Sequence, residues 1–310
     1  MKSKNTILMI AFFALFGLFI LKKTVLKAPE RSFKSTLTNI DISDIDQLTL
    51  QAEGTNSPLI QLRRENNEWQ LSQDNQSTVA DSSIVEGLIK QLAHIKTKQL
   101  VAKTKDKWSA YELDDSKAKV VSLFHHDKLL AKLMIGKFDF NPNTRSGLSY
   151  VRLNQDEDVY AIDGFLAAGI PKDFNGFRKT KLVNTAVNEI SHLDLNMEDK
   201  HWSATKSDGQ WSANVAIDST KISQYLQKIA QLKGHKFAEN EKMPPGAAIA
   251  ELNISSAENT NLCSIKAYRN NDKEFVLKSN QNDAYFASDS SGIFKTIFLD
   301  WKDVVQEVKN

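Results

Sequence analysis

The sequence predicts an α+β protein: two tandem repeats of an antiparallel sheet with a packed amphipathic helix, after an N-terminal transmembrane helix. Three observations predict this class. An apolar run lies near the N-terminus, similar segments recur in the same order in both halves of the chain, and short alternating apolar and polar runs are separated by hairpin-length loops. The sequence shows no strand–helix–strand series of the parallel, doubly wound kind.

The N-terminal segment predicts a membrane anchor over residues 1–33. Lys2 and Lys4 precede an apolar run over residues 6–21, and Lys22 and Lys23 follow it directly. This order is typical of a secretory signal, but no small-residue cleavage site follows it, so we expect an uncleaved anchor rather than a cleaved signal peptide. Because lysines flank both sides of the apolar run, the positive-inside rule does not predict the orientation of the anchor in the membrane. The segment order favours a single pass through a bacterial inner membrane with the C-terminal bulk in the periplasm.

Charge and cysteine content exclude several classes of protein. The chain has 40 basic and 38 acidic residues, but residues 34–310 hold only 34 basic against 37 acidic side chains. A slightly acidic soluble part without a basic stripe argues against nucleic-acid binding. Cys263 is the one cysteine, so an internal disulfide and a cysteine-based zinc cluster are excluded. Its alternating neighbourhood predicts a packed strand position.

The clearest repeated element is an amphipathic helix. Val85 and Ile222, and likewise Ile89 and Leu226, lie 137 residues apart and share one helix face in each copy. Asp81 and Asp218 precede the two helices, where a carboxylate accepts the free N–H groups of the first turn. We expect helical stretches that end at Lys96 and Lys233.

Antiparallel strands are predicted after the first helix. Short loops such as His125–Lys128 join them, which favours hairpins. The predicted strands span residues 119–124, 129–135, 149–153 and 158–162. The second copy is shorter, and the deletion is predicted to replace the loop over residues 141–147. The domains are therefore an anchor over 1–33, a first unit over 34–183 and a second, divergent unit over 184–310.

The first unit resembles the bacterial family called domain of unknown function 4340. The resemblance rests on an ordered set of elements: Trp69, Ala80-Asp81, Tyr111-Glu112-Leu113-Asp114, Leu133-Met134-Ile135-Gly136, Tyr150-Val151-Arg152, Val159-Tyr160 and Phe177-Arg178. Glu112 stands where the family usually has glycine. The resemblance implies a membrane-anchored envelope protein, often encoded beside or joined to auxiliary subunits of gliding-motility-type ABC transporters. It implies no known reaction and no catalytic residues.

Catalytic and metal-binding patterns are absent from the sequence. The signatures of serine hydrolases, zinc proteases and nucleotide-binding loops do not occur, so we expect no enzyme activity, cofactor or metal. His125 and His126 are interpreted as a solvated hairpin tip rather than a metal site. His192 and Asp194 share a strand face but lack a third ligand. The acidic pairs, such as Asp114-Asp115, lie in predicted turns.

Four side chains are candidate interaction or ligand contacts. Trp69 and Trp211 could stack on a glycan or peptide, although their recurrence in both units favours core packing. Arg152 and Arg178 could form a buried ion pair or contact an anionic ligand, with a structural role favoured.

We expect a non-enzymatic accessory protein of the periplasm, associated through its anchor with permease or auxiliary subunits of an ABC-type transport system. One alternative is a periplasmic glycan- or peptide-binding module, which would need a cleft between the units lined by exposed aromatic side chains. The other is a hydrolase of unrecognised mechanism, which would need convergent acids or histidines with shifted pKa values. A flat apolar patch would favour the accessory function.

Overall fold

The structure is a computed structural model that describes residues 33–198, 200–213, 217–238, 246–270 and 274–299. Within these ranges the protein is rich in strand, with several antiparallel sheets and short helices, as the α+β prediction requires. None of the helices in these ranges is both long and apolar enough to cross a membrane. The predicted anchor over residues 6–21 lies outside the described residues.

The chain divides into two compact units between Phe177 and Arg178. The sequence predicts a later boundary, between residues 183 and 184. The difference arises because the intervening segment packs in the second unit. The Leu182 N–H donates to the Leu232 carbonyl at 3.2 Å, and Leu182 and Val183 are buried in the core of that unit.

The first unit is built on a nine-stranded antiparallel sheet and a small two-stranded one. Their orders are β5-β4-β3-β2-β8-β9-β10-β11-β7 and β1-β6. The strand bounds are β1 Thr36–Asn39, β2 Gln47–Gln51, β3 Leu59–Glu65, β4 Glu68–Gln73, β5 Gln76–Val79, β6 His94–Lys96, β7 Gln99–Ala102, β8 Lys119–His125, β9 Lys128–Asn141, β10 Ser146–Leu153 and β11 Val159–Asp163.

Helices cover this sheet because each has a distinct apolar face. Helix α1 (Ser82–Ala93) buries Val85, Ile89 and Leu92 in the main core, and the Asp81 carboxylate caps it by accepting the Ser83 N–H at 3.0 Å. The short helix α2 spans Leu166–Gly169, and 3₁₀ turns span Ile42–Asp44, Lys105–Tyr111 and Phe174–Phe177. A second cluster around Trp108 covers the other side of β8, so this strand is buried on both faces.

The second unit has a seven-stranded antiparallel sheet in the order β14-β13-β12-β15-β16-β17-β18. This order matches that of β4-β3-β2-β8-β9-β10-β11 in the first unit. Helix α3 (Ser219–Ala230) is capped by Asp218, which accepts the Thr220 N–H at 2.8 Å. The other elements are β12 His192–Met197, β13 Lys200–Ser207, β14 Gln210–Ala213, β15 Ala250–Ser255, β16 Asn261–Arg269, β17 Glu274–Ser279, β18 Tyr285–Asp289, helix α4 Ile293–Ile297 and a 3₁₀ turn Val187–Glu189.

Three predictions of where elements end differ from the structure. The helical stretch predicted to reach Lys96 ends at Ala93, because Ile95 pairs with Thr38 in the β1-β6 sheet. The matching stretch in the second unit ends at Ala230 rather than Lys233. The segment over 141–147 was predicted as a loop, but the β9–β10 ladder continues through the pairs Gly147–Phe140 and Ser146–Asn141.

Two positions of the family pattern have a conformational explanation. Glu112 has φ = 56°, the left-handed conformation that glycine adopts at least cost, and stands where the resembled family usually has glycine. Gly136 lies against the backbone of the same turn, where an added Cβ would lie 2.0 Å from the Tyr111 carbonyl oxygen. The turn at Glu112 and the central part of β9 therefore pack so closely that position 136 has no room for a side chain.

Candidate functional site

The extended end of the β9–β10 hairpin carries the exposed aromatic cluster of the first unit. The ladder passes a bulge between Ser149 and Val151 and then runs to the pair Ser146–Asn141. The tip is an Asx turn, in which the Asn141 side-chain oxygen accepts the Asn143 N–H at 3.0 Å. Arg145, with φ = 51°, completes the reversal. The hairpin is therefore an ordered projection of the sheet.

Three phenylalanines lie together on one face of this projection. Phe138 and Phe140 are two residues apart on β9 and point to the same side, and Phe165 approaches them from the start of α2. The ring centroids of Phe138 lie 6.5 Å from Phe140 and 5.2 Å from Phe165. Phe140 is 52% exposed and Phe165 is 49% exposed. We call Phe138, Phe140 and Phe165 the phenylalanine cluster.

A glycine on the neighbouring strand makes room for this cluster. An added Cβ at Gly147 would lie 2.5 Å from Cε2 of Phe138 and 2.9 Å from the Gly164 carbonyl oxygen. The Gly164 N–H in turn donates to the Gly147 carbonyl at 2.9 Å. This bond ties the segment that leads into α2 to the hairpin. A side chain at Gly147 would therefore collide with the Phe138 ring and with the backbone of Gly164, the residue that precedes Phe165.

The opposite face of the hairpin is polar and internally bonded. The Tyr150 hydroxyl donates to Asp139 at 2.8 Å, and Lys137 lies 3.4 Å from the same carboxylate. Burial, together with the bond to Asp139, raises the pKa of Tyr150 to about 12. Tyr111 packs on Tyr150 with ring centroids 4.8 Å apart. These polar groups bond to one another. On the opposite face, Phe140 and Phe165 remain half-exposed and available to pack against a partner.

Among its described residues, the second unit repeats the strand order of this sheet without the projection. Its corresponding hairpin joins β16 and β17, whose ladder ends at the pair Arg269–Phe275. In the first unit three further pairs extend beyond the Ser149–Phe138 pair. The fold therefore does not require the phenylalanine cluster, and a cluster that folding does not require is a candidate for function.

A groove also lies in the first unit, with a volume of about 650 Å³. Leu37, Leu130 and Leu153 contribute apolar walls, and Lys132 and Asn154 contribute polar groups. The described residues that line it include no aromatic or histidine side chain. It therefore lacks the stacking surface expected of a glycan site.

Arg152 is a buried structural cation rather than an open anion site. It is 2% exposed, and its guanidinium stacks on Trp108 at 3.5 Å from the ring centroid. It donates to the carbonyls of Leu113 at 3.3 Å and Asn154 at 3.3 Å. Burial lowers its pKa, and Asp115, 3.5 Å away, opposes that shift. With its donors used on backbone carbonyls, Arg152 holds the loops at the end of β10.

Arg178 opens the second unit and is also buried. Its guanidinium lies 3.9 Å from the centroid of the Phe237 ring, a cation–π contact in the same unit. The predicted alternatives for Arg152 and Arg178 included contact with an anionic ligand. Burial of both side chains favours the structural role.

Trp69 and Trp211 occupy the cores of their units. Trp69 on β4 is 1% exposed and Trp211 on β14 is 7% exposed, so neither presents a ring face to a ligand. Each belongs to the main apolar cluster of its unit, which favours the core-packing interpretation over a stacking platform.

The acids with shifted pKa values belong to turns. Hydrogen bonds to a serine two residues later lower the pKa of Asp41, Asp114 and Asp289. Asp194 pairs with His201 at 2.8 Å, whereas its strand neighbour His192 contacts Thr205. These contacts stabilise local structure.

The phenylalanine cluster was not predicted from the sequence. A signal existed in Phe138-Asp139-Phe140, whose alternation places two rings on one side of a strand. The interpretation of residues 141–147 as a loop concealed that this strand stays paired beyond Ile135. The contribution of Phe165 depends on the Gly147–Gly164 contact, which local sequence patterns do not report.

A family model described as Domain of unknown function (DUF4340) matches residues 69–251. No curated protein and no solved structure matches the chain. The matched residues include most of the first unit, with the β9–β10 hairpin and Phe165, and part of the second.

Proposed function

The chain belongs to the family of domain of unknown function 4340, and on that premise we propose that it is a non-enzymatic, membrane-anchored accessory protein of the periplasm. In this proposal residues 6–21 hold it in the bacterial inner membrane, and the phenylalanine cluster docks on a permease or auxiliary subunit of an ABC-type transport system. We also propose that the two units are tandem repeats, which their common strand order supports.

One observation carries the docking proposal: Phe140 lies on a hairpin extension not found among the described residues of the second unit, and the half-exposed Phe165 lies beside it with ring centroids 6.1 Å apart. The hydration of exposed aromatic surface is unfavourable, and its burial contributes about 25 cal/mol per Å². Aromatic side chains are enriched at the energetic centres of protein interfaces. An apolar partner surface would gain this energy without further folding of the hairpin.

The shape of the cluster favours a protein partner over a small ligand. The rings form an open face rather than a cavity, and a small molecule on a flat surface would leave most of its own area in water. A transporter subunit offers a broad apolar surface close to the membrane in which the anchor is proposed to lie. The chain would then position its sheets beside the transporter.

Site-specific photocrosslinking in the native host tests the proposal. A benzophenone side chain is placed at Phe140 or Phe165 of the full-length chain, and at Leu59 or Leu129 as matched controls. The controls are 41% and 47% exposed, close to the 52% and 49% of Phe140 and Phe165. We expect adducts from Phe140 and Phe165 that mass spectrometry identifies as an ABC permease or auxiliary subunit, with at least fivefold less from the controls.

Two outcomes contradict the proposal. Equal yields from all four positions would mean that the contact is not specific to the phenylalanine cluster. Adducts with lipid alone would mean that the cluster touches the bilayer rather than a protein. The variants Phe140→Ser and Phe165→Ser, compared with Leu59→Ser, provide a second readout. Each cluster variant is expected to lower the yield of co-purified subunit by roughly tenfold, as loss of an interface hot spot does.

A further inference from the structure

A second candidate site lies at the turn between β8 and β9, at the far end of β9 from the phenylalanine cluster. Phe140 lies twelve positions after Lys128 on this strand, roughly 40 Å at the rise of an extended strand. Three side chains with metal-binding atoms, Asp46, His125 and His126, have those atoms within 4.8 Å of one another. Among the described residues this is the single group of three or more such side chains.

The backbone fixes the positions of these three residues. His125 is the last residue of β8, and His126 and Asp127 form a two-residue turn with φ values of 45° and 64°. Asp46 immediately precedes β2, where its N–H donates to the Phe124 carbonyl at 3.2 Å and its carbonyl accepts the Arg64 N–H at 2.8 Å. Three adjacent strands therefore hold the group in place.

The donor atoms have the spacing that one ion needs. Oδ2 of Asp46 lies 3.5 Å from Nδ1 of His126 and 3.7 Å from Nδ1 of His125, and the two rings approach at 2.9 Å between Nδ1 of His126 and Nε2 of His125. Ligands at about 2.0–2.1 Å from a tetrahedral zinc ion are roughly 3.3–3.4 Å apart. Small side-chain rotations would bring one nitrogen of each ring and the carboxylate to that spacing.

The two imidazoles share one hydrogen bond, between Nδ1 of His126 and Nε2 of His125, which a bound ion would replace, and the group has further donor atoms. The Asp46 carboxylate accepts the His126 N–H at 3.0 Å, but a carboxylate has further lone pairs. Nδ1 of His125 is shielded from solvent and has no hydrogen-bond partner among the residues that the structure describes. The nearby Arg63 is bonded to Asp127 at 2.9 Å, which offsets its positive charge.

The second unit lacks this group at the equivalent place. There the Ser191 N–H donates to the Ser255 carbonyl, as Asp46 does to Phe124, and the Ser191 carbonyl accepts the Lys206 N–H. By this correspondence Ser191, Ser256 and Ala257 stand where the first unit has Asp46, His125 and His126. The fold forms the same strand junction without acids or imidazoles, so the group is not needed for folding.

We propose that Asp46, His125 and His126 bind a divalent late first-row transition-metal ion of the zinc, copper or nickel class. Two imidazoles and one carboxylate suit these ions, whereas calcium and magnesium prefer oxygen ligands alone. Three protein ligands at a partly exposed turn leave a fourth position open to water or to a partner's side chain. This proposal is independent of the docking function.

Calorimetric titration of the full-length chain with Zn²⁺ tests the site. The protein is purified in mild detergent without a histidine tag. We expect one ion per chain, with binding weakened at least tenfold in each of Asp46→Asn, His125→Gln and His126→Asn. Asparagine tolerates the left-handed conformation at position 126, so the last variant preserves the turn while removing the imidazole.

The variant His201→Asn is the matched control. His201 and Asp194 form a half-exposed histidine–carboxylate pair in the second unit, 2.8 Å apart, and should not contribute to binding. Visible absorption of the Co²⁺-substituted chain gives a second readout of the coordination and should change in the three site variants alone. Unchanged Zn²⁺ affinity in Asp46→Asn and His126→Asn, or an equal loss in His201→Asn, would overturn the proposal.

Discussion

Arg152 illustrates how a single residue can look functional in a sequence and be structural in the fold. A guanidinium taken out of water is costly unless its donors find partners. The Arg152 guanidinium donates to the Leu113 and Asn154 carbonyls, and its plane stacks on Trp108. The register of β17 and β18 places Lys278 at the same position in the second unit, where Nζ donates to the Asn282 carbonyl at 2.9 Å. A cation that ties down the next loop is therefore a shared feature of both sheets.

Arg152→Ala is expected to destabilise the first unit by about 3 kcal/mol, since it removes charged hydrogen bonds from buried carbonyls. Arg152→Lys should retain part of that stability, because Lys278 performs the same task in the second unit. Hydrogen exchange measured by mass spectrometry on the full-length chain checks this. Peptides that cover residues 108–118 and 150–156 should lose protection, and peptides from β17 and β18 should not. Unchanged protection in Arg152→Ala would refute the structural role.

At the scale of elements, the features that local patterns encode were predicted well. Helices α1 and α3 follow from apolar spacing and from Asp81 and Asp218, and both caps are confirmed. The ends of these helices were predicted too late, because the pairing of Ile95 with Thr38 depends on a strand far away in the sequence. The extension of β9 past Ile135 was missed because Pro142 and Asn143 are typical of loops. They form the turn at the end of a longer ladder.

Replacement of either cap tests the equivalence of the two helices. Asp81→Ala and Asp218→Ala should each destabilise the corresponding helix by about 1 kcal/mol, because backbone N–H groups of the first turn lose their acceptor. This corresponds to roughly fivefold faster exchange of the helix amides. Asp→Asn at the same positions is the matched control, since asparagine caps nearly as well. If the alanine and asparagine variants exchange at the same rate, capping is not the cause of the stability.

At the scale of the whole molecule, each unit has an apolar core of its own. Helix α1 and the strands of the nine-stranded sheet enclose one core, and helix α3 with the seven-stranded sheet encloses another. The sequence predicted two separate cores because each copy of the repeat contains its own apolar helix and strand positions. It did not predict the Asp46, His125 and His126 group, because Asp46 joins the histidines through pairing between β2 and β8. Contacts of that kind follow from topology rather than from local spacing.

The thiol of Cys263 can report the stability of the second unit separately from the first. It is fully buried on β16, with Sγ 3.8 Å from the Leu182 carbonyl oxygen and 3.7 Å from the Ser279 hydroxyl. Burial raises its pKa, and the bond to Ser279 only partly opposes that shift, so the reactive thiolate is disfavoured in the folded unit. Reaction with a thiol reagent should therefore require opening of the second unit.

Because the cores are separate, destabilisation of one unit should leave the opening of the other unchanged. In the full-length chain, Asp218→Ala should accelerate labelling of Cys263 about fivefold, in proportion to the loss of about 1 kcal/mol at the helix cap. Asp81→Ala should leave the labelling rate unchanged, although it weakens α1 by a similar amount. Equal acceleration by both variants would mean that the two units open as one cooperative structure. Complete labelling in denaturant confirms in each case that the thiol is intact.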